Sequence, residues 1–222
     1  MRLLNTAFIL FTSATLLAAC RTDFYVETFV SDLFLAEAVE TPAKMKVEIP
    51  SCGDREEYEP KILALFQDDS KAKITDCVDE GMNSMLVVSM TALVSTEGSP
   101  ADLTLFRESF GESEVEGVNY TWMGVKPSIN PDFIKRVQML MEENLQSLKY
   151  ENIKLEIELN NDTRGSILYS TNFAWVDGQP FTARHRQPLG RRENAVFTFP
   201  NVTSDLVLQN QQPLVLYAAM PK

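Results

Sequence analysis

The densest chemistry in the sequence is basic. Arg184, Arg186, Arg191 and Arg192 place four guanidinium groups within nine consecutive positions of a chain that sets 31 Asp and Glu against 20 Lys and Arg in all. A guanidinium offers planar, paired donors that match a carboxylate or a phosphate, so the run is a candidate anion-binding segment. Gly178, Pro180, Pro188 and Gly190 punctuate it and predict a long exposed loop between strands. The competing reading is internal: the same arginines would serve to neutralise the protein's own acidic surface.

Carboxylates are plentiful but carry no catalytic pattern. Asp68 and Asp69, then Asp76, Asp79 and Glu80, then Glu142 and Glu143, then Glu156 and Glu158 are the notable sets. Glu156 and Glu158 share the solvent face of an alternating segment, and Glu142 and Glu143 lie on a helix flank, which predicts solvation. No calcium-loop pattern surrounds Asp76, Asp79 and Glu80. His185 is the only histidine, so any Ser-His-Asp or Cys-His arrangement must converge on it. The sequence has no GxSxG elbow, P-loop, dinucleotide fingerprint or HExxH helix. Accordingly no catalytic residue, metal ligand or cofactor is assigned.

The third group of reactive side chains is sulfur: Cys20, Cys52 and Cys77. Residues 1–19 have a positive charge at Arg2, an apolar middle too short to span a bilayer, and a small-residue exit, the layout of an export signal. Leu17, Ala18, Ala19 and Cys20 follow the lipobox pattern. Over these 20 residues the chain resembles a bacterial lipoprotein precursor. The resemblance implies diacylglycerol on the Cys20 thiol, cleavage before Cys20, and a domain tethered outside the cytoplasm in the cell envelope. An Asp after the modified cysteine favours inner-membrane retention in enterobacterial lipoproteins, so Arg21 implies the outer membrane if the source is diderm. With Cys20 committed to lipid, Cys52 and Cys77 remain as a single pair in an oxidising compartment, which predicts a disulfide. Two separate buried thiols are the alternative. A metal site on them is disfavoured, because they are far apart and lack a CxxC or His partner.

The elements that must position these groups are legible in the hydrophobic periodicity. Residues 24–29 alternate loosely, 32–39 have helix-compatible spacing, and 44–49 alternate strictly, with Met45, Val47 and Ile49 on one face. Glu59, Pro60 and Lys61 open a short helix carrying Ile62, Leu65 and Phe66. Strands are expected at 72–78 and 85–94. The order then recurs: a strand at 122–126, a helix capped by Asn130 and Pro131 and running to about residue 148 with Phe133, Val137, Leu140, Met141, Leu145 and Leu148 along its stripe, then strands at 153–159 and 167–176. Further strands are expected at 195–199, 206–208 and 213–219. Trp122 and Trp175 are expected to pack in the core rather than to form a sugar platform.

This pattern predicts an α+β fold, a mainly antiparallel sheet with two principal helices, and raises a duplicated β-α-β-β unit as one reading of the recurrence. That reading allows two sheets, or one continuous sheet with both helices on one side. The chain divides into a signal at 1–19, an anchor and N-terminal segment at 20–43, a first α+β unit at 44–100 and a second at 101–222, or one continuous domain from 44 onward. A net charge of −11 opposes phosphate backbones, so nucleic acid is not an expected partner. The leading expectation is a non-enzymatic, membrane-tethered protein that presents an interaction surface to an envelope protein. The alternative is a binding module for a small ligand, a glycan or another anionic envelope component; a hydrolase ranks third.

Overall fold

The computed structural model describes residues 21–67, 70–81, 83–96, 101–143, 152–172, 174–181, 186–200 and 216–222. Cys20 and the signal, Asp68, Asp69, Arg184, His185, the end of the expected helix at Leu145 and Leu148, and the expected strand at 206–208 lie outside the described residues.

The first half of the chain forms β1 (Thr22–Phe29), α1 (Val30–Phe34), β2 (Val39–Ile49), α2 (Arg55–Leu63), β3 (Lys73–Glu80), β4 (Asn83–Ser95), β5 (Leu103–Val115) and β6 (Val118–Ile129). The second forms α3 (Pro131–Glu143), β7 (Ile153–Asn160), β8 (Ile167–Thr171), β9 (Trp175–Val176), β10 (Gln179–Pro180), β11 (Gln187–Leu189), β12 (Asn194–Phe199) and β13 (Leu216–Pro221). Together they make a mixed α+β fold dominated by one large, mostly antiparallel sheet, with α2 and α3 as the principal helices.

The strand order is β10-β9-β12-β7-β1-β2-β4-β5-β6-β13-β8-β11, with β3 paired to β4 beside the main path. Two neighbouring pairs, β1 with β7 and β4 with β5, are parallel. The order turns back on itself. The turn after Leu189 joins β11, at one end, to β12, near the other, and Tyr169 of β8 meets Phe197 of β12 edge-on at 5.3 Å. Alternation along the strands gives the enclosed face one contiguous core, including Phe24, Met45, Val88, Leu105, Leu155 and Phe197.

Both helices cover that enclosed face. Asn130 caps α3 by accepting from the Asp132 N–H at 2.9 Å. Phe133 of α3 then packs against Phe24 at 6.3 Å and Phe66 at 5.1 Å. Arg136 donates to the Leu65 carbonyl at 2.7 Å and pairs with the buried Asp102 at 2.9 Å, tying α3 to the chain beyond α2.

Several expectations shift. α1 occupies Val30–Phe34 rather than 32–39, and α2 begins at Arg55, so Pro60 lies inside it instead of opening it. The acidic first turn, with Glu56 and Glu57, supplies the start signal that Pro60 was expected to give. The order strand, helix, strand, strand does recur, as β2-α2-β3-β4 and β6-α3-β7-β8, but the pairing does not. β3 and β4 form a hairpin, whereas β7 pairs with β1 and β12, and β8 with β13 and β11. On either side of the division expected at residue 100, β4 and β5 pair through Leu93 and Thr104 in a single sheet. Cys52 and Cys77 form the expected disulfide, with Cα atoms 5.7 Å apart.

Candidate functional site

Strand register decides what reaches the outer face of the sheet. Val125, Leu216, Ala218, Ile167 and Tyr169 point into the core. Their alternates Trp122, Gly124, Tyr217 and Ser170 therefore face outward across β6, β13 and β8, with Tyr217 opposite both Gly124 and Ser170. On β5 the register slips between Ser109 and Gly111. Phe110 is the extra residue of this bulge, Gly111 takes a φ of +91°, and the ring of Phe110 is carried out to 62% exposure. There it meets Tyr217 at 5.1 Å with the rings inclined by 67°.

Trp122 lies beside this pair. It is only 7% exposed but does not belong to the core cluster. Its burial is made on the outside of the sheet, where the Arg186 guanidinium sits 5.2 Å from the ring centroid. Its indole Nε1 donates to Ser113 Oγ at 2.8 Å. These side chains, with Glu112, Ser170 and Asn172, line an open cleft of about 430 Å³. Arg186 also borders a second concavity, beside Tyr120, Leu168 and Pro188.

A protein-family model described as a domain of unknown function (DUF7424) matches residues 22–222. The chain belongs to the DUF7424 family. No curated protein and no solved structure matches it.

The DUF7424 fold separates the arginines that the sequence groups together. Arg186 enters the cleft. Gln187–Leu189 then pairs with Ile167–Tyr169, so the expected long loop contains a strand. Arg191 and Arg192 are exposed in the turn beyond it, and neither lines the cleft. The buried Asn161 fixes that turn: its side-chain amide N–H groups donate to the Leu189 and Gly190 carbonyls at 2.9 and 3.0 Å, and its backbone carbonyl accepts from the Arg192 N–H at 2.9 Å.

The acidic sets are absorbed structurally where they are described. Asp76 accepts from the Cys77 N–H at 2.8 Å, and Asp79 from Ser84 Oγ at 2.6 Å. Lys46 bonds Glu80 at 2.5 Å and holds its carboxyl below the ordinary range, with burial opposing the shift. Glu156 takes Lys154 and Thr198, each at 2.9 Å, Glu158 takes Asn194 at 2.5 Å, and Glu142 is exposed. Around Arg21 these groups form a lattice of alternating charge: Arg21 with Asp23 and Glu80, Lys46 with Glu80, and Lys44 over the Tyr25 ring.

Of the two tryptophans expected to pack in the core, Trp122 is buried, outside the contiguous cluster, and Trp175 is not. Trp175 is 45% exposed because β9 is a two-residue strand that turns only Val176 inward. Trp122 is buried, but against an arginine. Phe110 and Tyr217 carry no motif. The one local signal is Gly111 inside a long polar strand, which marks a bulge. Among the described residues no helix is long and apolar enough to cross a membrane.

Proposed function

We propose that this protein is a tethered, non-enzymatic binding module of the bacterial envelope, anchored through Cys20 and using the outward cleft around Trp122 to hold a small ligand. The observation that carries the ligand role is Trp122 itself. A large aromatic residue placed outside the core, lidded by an arginine and flanked by an exposed Phe110 and Tyr217, has the composition of a small-ligand site: aromatic walls and a few convergent polar groups. The geometry thus favours ligand binding over the broad protein-docking surface.

The lipobox supports the anchor, and the family match beginning at Thr22 leaves the upstream segment outside the domain, as a removable signal requires. The Cys52–Cys77 bridge fits an oxidising compartment. The ligand role is tested on the Trp175→Phe protein, where Trp122 is the remaining indole. Titration with a panel of neutral and acidic saccharides, amino acids and nucleotides is expected to shift Trp122 emission with at least one class. Silence across the panel would sink the ligand role. Mass analysis of the mature amino terminus is expected to find acyl chains on Cys20; an unmodified, water-soluble terminus would sink the anchor.

A further inference from the structure

We infer that the cleft selects saccharides bearing an anionic group, a carboxylate or a phosphate, and that Arg186 reads that group. The inference rests on the cleft being a ligand site and adds the class of ligand. The Arg186 guanidinium carbon lies over the Trp122 ring, 5.2 Å from its centroid, and a guanidinium carries five N–H donors, more than a ring contact occupies. Among the described residues no carboxylate lies within ion-pair distance of Arg186, which sets it apart from Arg21, Arg55 and Arg136 but not from Arg164, Arg191 and Arg192; of those four, Arg186 alone lines the cleft. A guanidinium placed over an aromatic ring, with no ion-pair partner among the described residues, is available to a planar or tetrahedral oxyanion.

The remaining lining specifies what carries the anion. Ser113 Oγ accepts from Trp122 Nε1 at 2.8 Å and retains its own proton to donate. Ser170 and Asn172 add further groups that both donate and accept, and Glu112, paired with Lys222 at 2.5 Å, offers a carboxylate oxygen that accepts a hydroxyl. A simple benzoate has no ring hydroxyls to meet these groups; a sugar ring has several. The inclined rings of Phe110 and Tyr217 give an apolar ledge for the C–H face of a pyranose. The volume, about 430 Å³, falls in the lower part of the range of about 300–1,000 Å³ typical of small-ligand sites, room for a mono- or disaccharide.

The test is calorimetric titration of the full mature chain with methyl β-D-glucuronide, D-glucose 6-phosphate and methyl β-D-glucoside. At least one of the two anionic sugars is expected to bind about tenfold more tightly than the neutral glucoside, the scale of one charge-assisted hydrogen-bonded pair. Preference for the glucuronide alone assigns a carboxylate, and preference for the phosphate alone assigns a phosphate. Arg186→Gln is expected to abolish the preference while leaving glucoside affinity in place, and Tyr217→Ala to weaken all three sugars. Equal affinity for the three sugars, or a preference that survives in Arg186→Gln, overturns the inference and leaves the cleft reading intact. Absence of binding by all three also overturns it, and the cleft reading then stands or falls on the Trp122 emission panel.

Discussion

Arg186 shields Trp122 from solvent on the outward face of the sheet, with its guanidinium 5.2 Å from the ring centroid. Arg186→Ala is therefore expected to expose the indole and red-shift its emission in the Trp175→Phe background. Because the contact is at the surface, the stability loss should be small, about 0.5–1 kcal/mol, within the range of an exposed cation–π pair. An unshifted spectrum would mean that Trp122 is buried by something other than Arg186.

The fold was far more legible than the cleft, for a physical reason. Strict alternation at Met45, Val47 and Ile49, or at Ile153, Leu155, Ile157 and Leu159, reports directly which residues face a core. Partner choice is not local: nothing within 153–160 says that β7 will lie parallel to β1 rather than beside β8. The cleft depends on such pairings. Phe110, Trp122, Tyr217 and Arg186 come from four separate segments, and only β5-β6, β6-β13, β13-β8 and β8-β11 pairing brings them together. The four-arginine run was visible, but its division by β11 was not.

Cys52 and Cys77 close a separation of 25 residues between the turn preceding α2 and β3. Replacing both with Ala is expected to lower unfolding free energy by about 3.5 kcal/mol through the freed unfolded chain. Denaturant titration of the variant and the oxidised protein checks this. If the two midpoints agree, the bridge constrains nothing that the core does not already hold.

Arg107 is 2% exposed and directs its hydrogen bonds to backbone carbonyls. Its two terminal nitrogens donate to the carbonyls of Asp32 and Glu37, pinning the connection between α1 and β2 against β5. Arg107→Met retains bulk but orphans both carbonyls, so a loss of about 2–4 kcal/mol is expected. Amide exchange should accelerate around residues 33–39 before it does so elsewhere. Uniform acceleration would place the role of Arg107 in general packing instead.

The β5-β6 hairpin closes through Glu116 and Gly117, between the paired Val115 and Val118, with φ of +52° and +81°. Two consecutive positive φ values define the turn that matches strand twist. Nothing lies within 4 Å of a Cβ built on Gly117, so Gly117→Ala tests conformation alone, with an expected cost of about 1 kcal/mol. Glu116→Asn should stabilise, since Asn tolerates the left-handed region better. Opposite signs in thermal unfolding of the two variants are the expected result.

Glu80 and Asp32 should contribute to acid sensitivity with opposite signs. The hydrogen bond from Lys46, chiefly, lowers the Glu80 pKa in the folded state, so its stabilisation is complete above the ordinary glutamate range and is lost as pH falls through the lowered value. Burial, with the nearby Asp162 adding to it, raises the pKa of Asp32. Its ionised form therefore costs stability above that raised value, and the cost disappears as pH falls below the ordinary aspartate range. Glu80→Gln is accordingly expected to destabilise at neutral pH, and Asp32→Asn to stabilise, with both differences vanishing in acid. Unfolding free energies across the acid range decide the matter. A difference that persists unchanged at low pH would show that the substitution acts through packing or hydrogen bonding rather than through charge.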